Sequence, residues 1–317
     1  MLTNDNTDFD PVSRFEDPVL EFDFSAFQIG VAEYKEGPTG CTVFIFPEGA
    51  TTAIDIRGGT PGTIGNHPWN HAVCFAGGSF YGLEAATGVA AELFAMAGYS
   101  CDFNEVARVS GAVIYDYASR DNRIYADKRL GRAAVKSARS GVFPIGPRGA
   151  GCSAMVGKGM DFQQGEPSGQ GGAFRQLGHT KISAFTVVSA IGAIVDRQGQ
   201  VVMGHLNRKT DKRKHLFEDL EERFFNPEAV SIHQGNTTLT VLITNQKFDL
   251  IYLNQLARQV HSSMARAIQP FHTVYDGDVF YAITTNEVEN QNLNKVTFGV
   301  MASEVVWDAV LSIVDAT

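Results

Sequence analysis

Charge is the first thing this 317-residue sequence is short of, with Asp, Glu, Lys and Arg making up 19% of it against about 25% in an average globular protein. A chain that is 44% hydrophobic with so few charges folds around a large core, so disorder and a coiled coil are both excluded for its bulk. Basic residues are in the minority, 26 against 35 acidic ones, and the formal charge of −9 repels nucleic acid and anionic membrane. Cysteine is scarce as well. Cys41, Cys74, Cys101 and Cys152 stand far apart with no C-x-x-C spacing, which excludes a zinc ribbon or disulfide scaffold and suggests small buried residues. The longest weakly polar run, Ile182 to Val195, carries Ser and Thr and falls short of the ~20 residues of a bilayer span. Residues 1 to 24 are acidic and possess neither a basic n-region nor an apolar h-region, so no secretion signal is expected and the cytoplasm is the expected location.

Common catalytic signatures are missing too. Gly151 to Lys158 (GCSAMVGK) has one residue too many between its glycines for a phosphate loop, and Gly159 stands where the magnesium-binding hydroxyl belongs. Ser153 has Gly151 before it but Met155 after it, so no nucleophile elbow forms. His67 and His71, the closest histidine pair, are separated by Pro68 and cannot share a regular helix face. Neither a metal nor any other cofactor is expected.

What is present is a turn-rich chain with 32 glycines and secondary structure in blocks. Phe27 to Tyr34, Thr42 to Phe46 and Thr51 to Ile56 predict strands, the first two joined by a turn at Gly37 to Gly40. Ala85 to Ala97 and Lys128 to Ala138 predict helices, and Ile182 to Val202 a second strand region. A basic run (Arg208, Lys209, Lys212, Arg213, Lys214) interrupted by Asp211 precedes an acidic helical piece, Phe217 to Phe225; residues 205–236 suggest a solvated connector. Thr238 to Thr244 then alternates as a strand. Asp249 is placed to cap a helix running to Ala267, with Leu250, Leu253, Val260 and Met264 on one face and Pro270 beyond its end. A strand at Val279 to Thr285 and a last helix from about Ser303 to Val314 follow. Elements grouped in this way argue for layered α+β rather than a doubly wound sheet.

Two features carry chemistry. Gly235-Asn236-Thr237-Thr238 delivers two hydroxyls onto the start of a strand, directly after the polar connector. If the Asn236–Thr237 bond breaks, Thr237 gains a free α-amine, which titrates near ~7.7 to 8.0 and can act as base for its own hydroxyl. The alternative reading is a strand start built from β-favouring threonine. The second feature, Asp276-Gly277-Asp278, follows a Pro-aromatic-His stretch; it is either a hairpin turn or a pair of carboxylates that orients a nucleophile or binds a cationic substrate end.

At these residues the sequence resembles the self-processing amino-terminal-nucleophile hydrolases, the family that includes L-aminopeptidase/D-esterases, β-aminopeptidases and nylon-oligomer endo-hydrolases. The similarity runs through nearly the whole chain: Tyr34 to Gly40 (YKEGPTG), Ala112 to Tyr117 (AVIYDY), Ser168 to Gly178 (SGQGGAFRQLG), Gly235 to Thr238 (GNTT), Val260 to Thr273 (VHSSMARAIQPFHT) and Trp307 to Leu311 (WDAVL). The resemblance implies a four-layer αββα sandwich, made as one precursor and cut before Thr237 into associated fragments, 1–236 and 237–317. It implies that Thr237 is the nucleophile, that Lys158 lies beside it and its amine, that Asp276 and Asp278 position it, and that Tyr115 lines the substrate cleft. A cation such as Lys158 near a free amine lowers that amine's pKa and stabilises developing negative charge. One position departs from the family: Ser189 stands where an Asn usually helps hold the oxyanion, and losing such a donor can cost about 10²- to 10³-fold in rate.

The expected activity is hydrolysis of linear amides, whether 6-aminohexanoate oligomers or small peptides, through an acyl-enzyme on Thr237. An aminopeptidase or β-aminopeptidase, and an acyltransferase of the same fold passing the acyl group to an amine, are the alternatives, and a catalytically weak binding or assembly protein is a third. The expected partners are the chain's own cleaved fragment and further copies of that heterodimer.

Overall fold

A computed structural model describes residues 1–159, 161–225 and 235–316. Its centre is a nine-stranded sheet built from β1 (Gln28–Tyr34), β2 (Thr39–Ile56), β3 (Thr63–Ile64), β4 (Trp69–Ala76), β5 (Val109–Val113), β6 (Gln170–Leu177), β7 (Thr180–Ser189), β8 (Thr237–Gln246) and β9 (Val279–Val288). The spatial order is β6-β7-β8-β9-β2-β4-β5-β3, with β1 added on β2. The first part of β2 pairs with β1 and the last part with β9. Between them its register against β4 shifts, from Ile45 to Ala50, so one strand belongs to two leaves of a folded-over sheet. The two strands expected at Thr42 to Phe46 and Thr51 to Ile56 are therefore one. Pro47-Glu48-Gly49, which has the composition of a turn, is an irregularity inside an 18-residue strand.

Alternation along the strands sorts the core into three slabs. Phe185, Val187, Leu239, Val241, Val279 and Tyr281 of one leaf meet Ile29, Phe44, Phe46, Val73 and Phe75 of the other. Their neighbours in sequence face outward. Ala184, Val188, Leu242, Phe280 and Ala282 pack under helices α4 (Leu250–Ser263) and α5 (Lys295–Leu311). Ala32, Cys41, Val43, Cys74 and Val113 pack under α1 (Glu84–Met96) and α2 (Lys128–Lys136). With period-2 alternation feeding two buried faces, the result is the four-layer αββα sandwich expected.

Some local expectations are corrected. The last helix starts at Lys295, eight residues before Ser303, because the Asn294 side chain accepts from the Val296 and Thr297 amides and caps it. With the turn after it, Lys295–Ala316 is long and apolar enough to cross a membrane, with a mean hydropathy of 1.5, but Phe298, Val305, Val306 and Val310 are buried in the core. Asp249 caps α4 as expected, through the Tyr252 amide, yet Leu250 in the first turn is exposed, and the buried face is Leu253, Leu256, Ala257 and Val260. Among the cysteines, Cys41 and Cys74 are buried but Cys101 is exposed, and all four are free thiols. The acidic segment 1–24 sends Phe9, Phe22 and Phe24 into the core. The connector begins as a short hairpin, is tied to Glu166 through Arg213 at 2.7 Å, and continues as α3 (Leu216–Phe225). Its residues 226–234 lie outside the described residues.

Candidate active site

Three strand ends bring distant parts of the chain together. Thr237 opens β8, Ser189 closes β7, and the two are direct partners in the antiparallel register. Asn236 forms a parallel bridge with Asp276 just ahead of β9, which sets the Asp276-Gly277-Asp278 turn beside Thr237. Lys158 reaches the same place from a loop whose flanking amides, Gly157 and Gly159, donate to the carbonyls of Gly192 and Ile191. Thr237, Ser189, Lys158, Asn236, Asp276 and Asp278 are all buried. Six of the seven residues singled out from the sequence thus meet in one buried cluster, and the seventh, Tyr115, stands at its mouth.

Hydrogen bonds fix this cluster. The Thr237 hydroxyl donates to the carbonyl oxygen of Asn236 at 2.6 Å, and the Gly277 amide donates to the same oxygen at 2.7 Å. The Thr238 amide donates to Asp278 Oδ1 at 2.7 Å. Lys158 Nζ donates to the Ser189 carbonyl at 3.0 Å, to Ser189 Oγ at 3.3 Å and to the Gly235 carbonyl at 3.5 Å. Asp276 accepts from the Thr273 amide through Oδ2, while Oδ1 is buried with no hydrogen-bond partner among the described residues. Gly277 is required sterically: a Cβ there would lie 2.4 Å from the Thr60 carbonyl oxygen and 3.0 Å from the Thr237 hydroxyl.

Burial also sets the protonation states. It pulls the Lys158 ammonium down to about 7, although the Asp276 carboxylate favours the charged form. It pushes the Asp278 carboxyl up to about 6, against the His272 hydrogen bond that pulls it down. A lysine and a carboxylic acid that both titrate close to neutrality, in one buried cluster, are suited to moving protons.

A second tier of residues carries no motif of its own. His272 Nδ1 meets Asp278 Oδ2 at 2.9 Å, and the His272 ring lies edge-on to that of His261 with centroids 4.3 Å apart. His261 Nδ1 meets Asp55 at 2.8 Å, and Asp55 pairs with Arg57 at 2.7 Å. The Pro-aromatic-His stretch before the two aspartates was the available signal for His272. Nothing in the sequence joins Asp55 to it, because that link depends on the pairing of β2 with β9.

The cleft in front of Thr237 has a volume of about 320 Å³ and is lined by Thr60, Ser79, Phe80, Val113 and Tyr115. Tyr115 is held by its neighbour. Asp116 pairs with Arg120 at 2.6 Å in a fully buried ion pair and accepts from the Thr39 hydroxyl and the Gly78 amide. The Tyr115 ring in turn packs on Gly235, whose backbone has a left-handed φ of 89° and where a Cβ would lie 2.5 Å from the ring. Among the described residues no three His, Cys, Asp or Glu side chains form a group that could hold a metal ion.

The model of peptidase family S58 matches residues 22–317. The chain belongs to that family. Within it, the chain is 46% identical to a 6-aminohexanoate-oligomer endohydrolase of Agromyces sp. over 97% of its own length and 89% of the relative's. The identity and both coverages are the same with the 6-aminohexanoate-oligomer endohydrolase of Paenarthrobacter ureafaciens. Among solved structures it resembles the L-aminopeptidase D-Ala-esterase/amidase of Ochrobactrum anthropi, described as a variant of the Ntn hydrolase fold, with a TM-score of 0.69 at 16% identity over 94% of this chain and 86% of that one. A β-aminopeptidase of Burkholderia sp. superposes with a TM-score of 0.67 at 14% identity, covering 97% and 88% of the two chains. This S58 chain is a hydrolase of amide bonds with the Ntn hydrolase architecture.

Proposed function

We propose that the chain cuts itself between Asn236 and Thr237 and then hydrolyses linear amides, 6-aminohexanoate oligomers or small peptides, through an acyl-enzyme on Thr237. The observation that carries this reading is the peptide group ahead of Thr237. Its carbonyl oxygen accepts from the Thr237 hydroxyl at 2.6 Å and from the Gly277 amide at 2.7 Å, so the nucleophile and a fixed dipole converge on one bond. In the self-cleavage, Thr237 Oγ attacks the Asn236 carbonyl carbon and the C–N bond breaks. The hydroxyl proton passes to the departing nitrogen, which becomes the α-amine of Thr237. Water then hydrolyses the ester, releasing the Asn236 carboxylate and restoring the hydroxyl.

Turnover repeats the chemistry on an external amide. The freed α-amine, near ~7.7 to 8.0 in an unperturbed chain, takes the hydroxyl proton as Oγ attacks and gives it to the leaving amine. Water deacylates the enzyme by the same route. Lys158, held at about 7 by burial, is half neutral at neutral pH and can share the proton. The open Oδ1 of Asp276 is an acceptor for the new ammonium, and Asp278 holds the strand start through the Thr238 amide. The products of the cut stay together because β8, the first strand of fragment 237–317, is paired with β7 of fragment 1–236, and β9 with β2.

The test is turnover of a linear 6-aminohexanoate trimer and of short peptides by the wild-type chain, by T237S and by T237A. The reading expects activity in the first two and none in the third, with the acyl group trapped on the peptide that begins at residue 237. Undiminished hydrolysis by T237A contradicts it.

A further inference from the structure

The cleft before Thr237 does not end at Tyr115. Across the wall formed by Ser79 and Tyr115 it adjoins a larger groove of about 690 Å³, walled by Tyr81, Tyr117, Tyr125, Arg123 and Asp5. Its outer side is the start of the chain. The Arg123 amide donates to the Leu2 carbonyl at 2.9 Å, the Tyr125 amide to Asn4 Oδ1 at 3.0 Å, and Asn4 Nδ2 to the Tyr125 carbonyl at 3.1 Å. Residues 2–5 are thereby laid along residues 123–125.

The lining has a definite chemistry. Tyr115 and Tyr117 meet edge to face at 5.6 Å, and Tyr81 and Tyr125 lie 6.0 Å apart, which provides a succession of aromatic faces. The hydroxyls of Tyr81, Tyr115 and Tyr117 make no hydrogen bond among the described residues. Apolar faces interleaved with open phenol groups suit a flexible chain in which methylene segments alternate with amides. The two guanidinium groups differ. Arg120 is buried and committed to Asp116, whereas Arg123 is exposed, makes no ion pair among the described residues, and has only Nη1 engaged, on the Asn122 carbonyl at 3.0 Å. An uncommitted guanidinium at the wall of a polyamide-shaped groove matches a carboxylate.

We propose that this groove is a distal subsite that holds the carboxyl-terminal part of a linear amide substrate, with its tyrosines along the chain and Arg123 on the terminal carboxylate. The inference rests on the amide-hydrolase reading above and deepens it. Because the carboxyl side of the scissile bond is the leaving amine, the groove would bind the fragment that departs first, and the substrate runs from Thr237 outward past Tyr115.

The experiment uses the full chain, wild type and R123Q, with two measurements. The first is calorimetric binding of N-acetyl-6-aminohexanoate and of its primary amide. The second is kcat/KM on a linear 6-aminohexanoate trimer with a free carboxylate and on the same trimer capped as an amide. Wild type is expected to prefer the acid by about five- to tenfold in both, the scale of a charge-assisted bond that is partly open to water, and R123Q is expected to lose the preference. An acid preference that survives R123Q overturns the subsite, as does a preference that instead follows a free amino end and is removed by D5N. Arg123-dependent binding with no turnover of either trimer would refute 6-aminohexanoate oligomers as the substrate and leave the groove standing. Turnover with no acid preference would do the reverse.

Discussion

Replacing Gly277 by Ala isolates the dipole on which the proposed self-cleavage would depend. No positive φ is involved, so the new side chain does not strain the backbone by itself; the effect is steric. The added Cβ would lie 2.4 Å from the Thr60 carbonyl oxygen, a backbone atom that cannot rotate away, and 3.0 Å from the Thr237 hydroxyl. The turn must therefore move by several tenths of an ångström. That movement is enough to spoil the 2.7 Å bond from the Gly277 amide to the Asn236 carbonyl. Loss of one preorganised donor to a developing oxyanion costs about 10²- to 10³-fold in rate, and small-to-large changes in a packed site cost about 1–3 kcal/mol of stability. G277A should therefore fold and accumulate as the uncut chain, with conversion to the 236- and 81-residue fragments slowed by about 10²-fold. The assay is a time course of intact mass beside a thermal melt. A folded G277A that converts within threefold of the wild-type rate would show that this amide does not polarise the bond.

Three further outcomes are expected. Introducing with S189N the asparagine that the resemblance implies for this position adds a side-chain amide opposite Thr237 and should raise kcat on a linear amide at least ~10-fold; an unchanged or lower value would mean that Ser189 is fitted to its site. Lys158 falls from 10.5 in the unfolded chain to about 7 on folding, so the unfolded state binds more protons between those values and this group's destabilisation, full below pH 7, is relieved as pH rises through that window. K158M should abolish activity yet melt above wild type at pH 6, by about 2–4 kcal/mol after its lost hydrogen bonds, with the gap closing towards pH 10; a gap independent of pH contradicts the assignment. Removing the His272 bond with H272A should lift the Asp278 pKa from about 6 by about one to two units, move the acid limb of the rate profile upward and recover partly in H272N, whereas an unmoved limb makes His272 structural.

The layered architecture was legible because alternation and helical runs fall in blocks, and helices at Ala85 and Lys128 came within two residues of the observed ends. The misreadings have physical reasons. Pro47-Glu48-Gly49 carries turn chemistry but is absorbed as an irregularity in a paired strand. Asn294, Lys295 and Thr297 look like a polar loop although the asparagine is a cap. Leu250 carries the right apolar character for the face of α4 but lies in its exposed first turn. At the site, Thr237 and the two aspartates were visible as types in short motifs, and the resemblance supplied Lys158 and Ser189. What could not be read was register: the pairings of Ser189 with Thr237 and of Asn236 with Asp276 come from tertiary pairing over 40 residues or more. The tyrosine groove was hidden for the same reason, since residues 2–5 meet residues 123–125 only in the folded chain.

The measurement that bears most directly on the account is the intact mass of the purified wild-type protein under denaturing conditions. The account predicts two species of 236 and 81 residues, the smaller beginning at Thr237 and migrating with the larger when native. A single uncut chain of 34.4 kDa that nevertheless hydrolyses linear amides would contradict it, because Thr237 would then have no free amine with which to work.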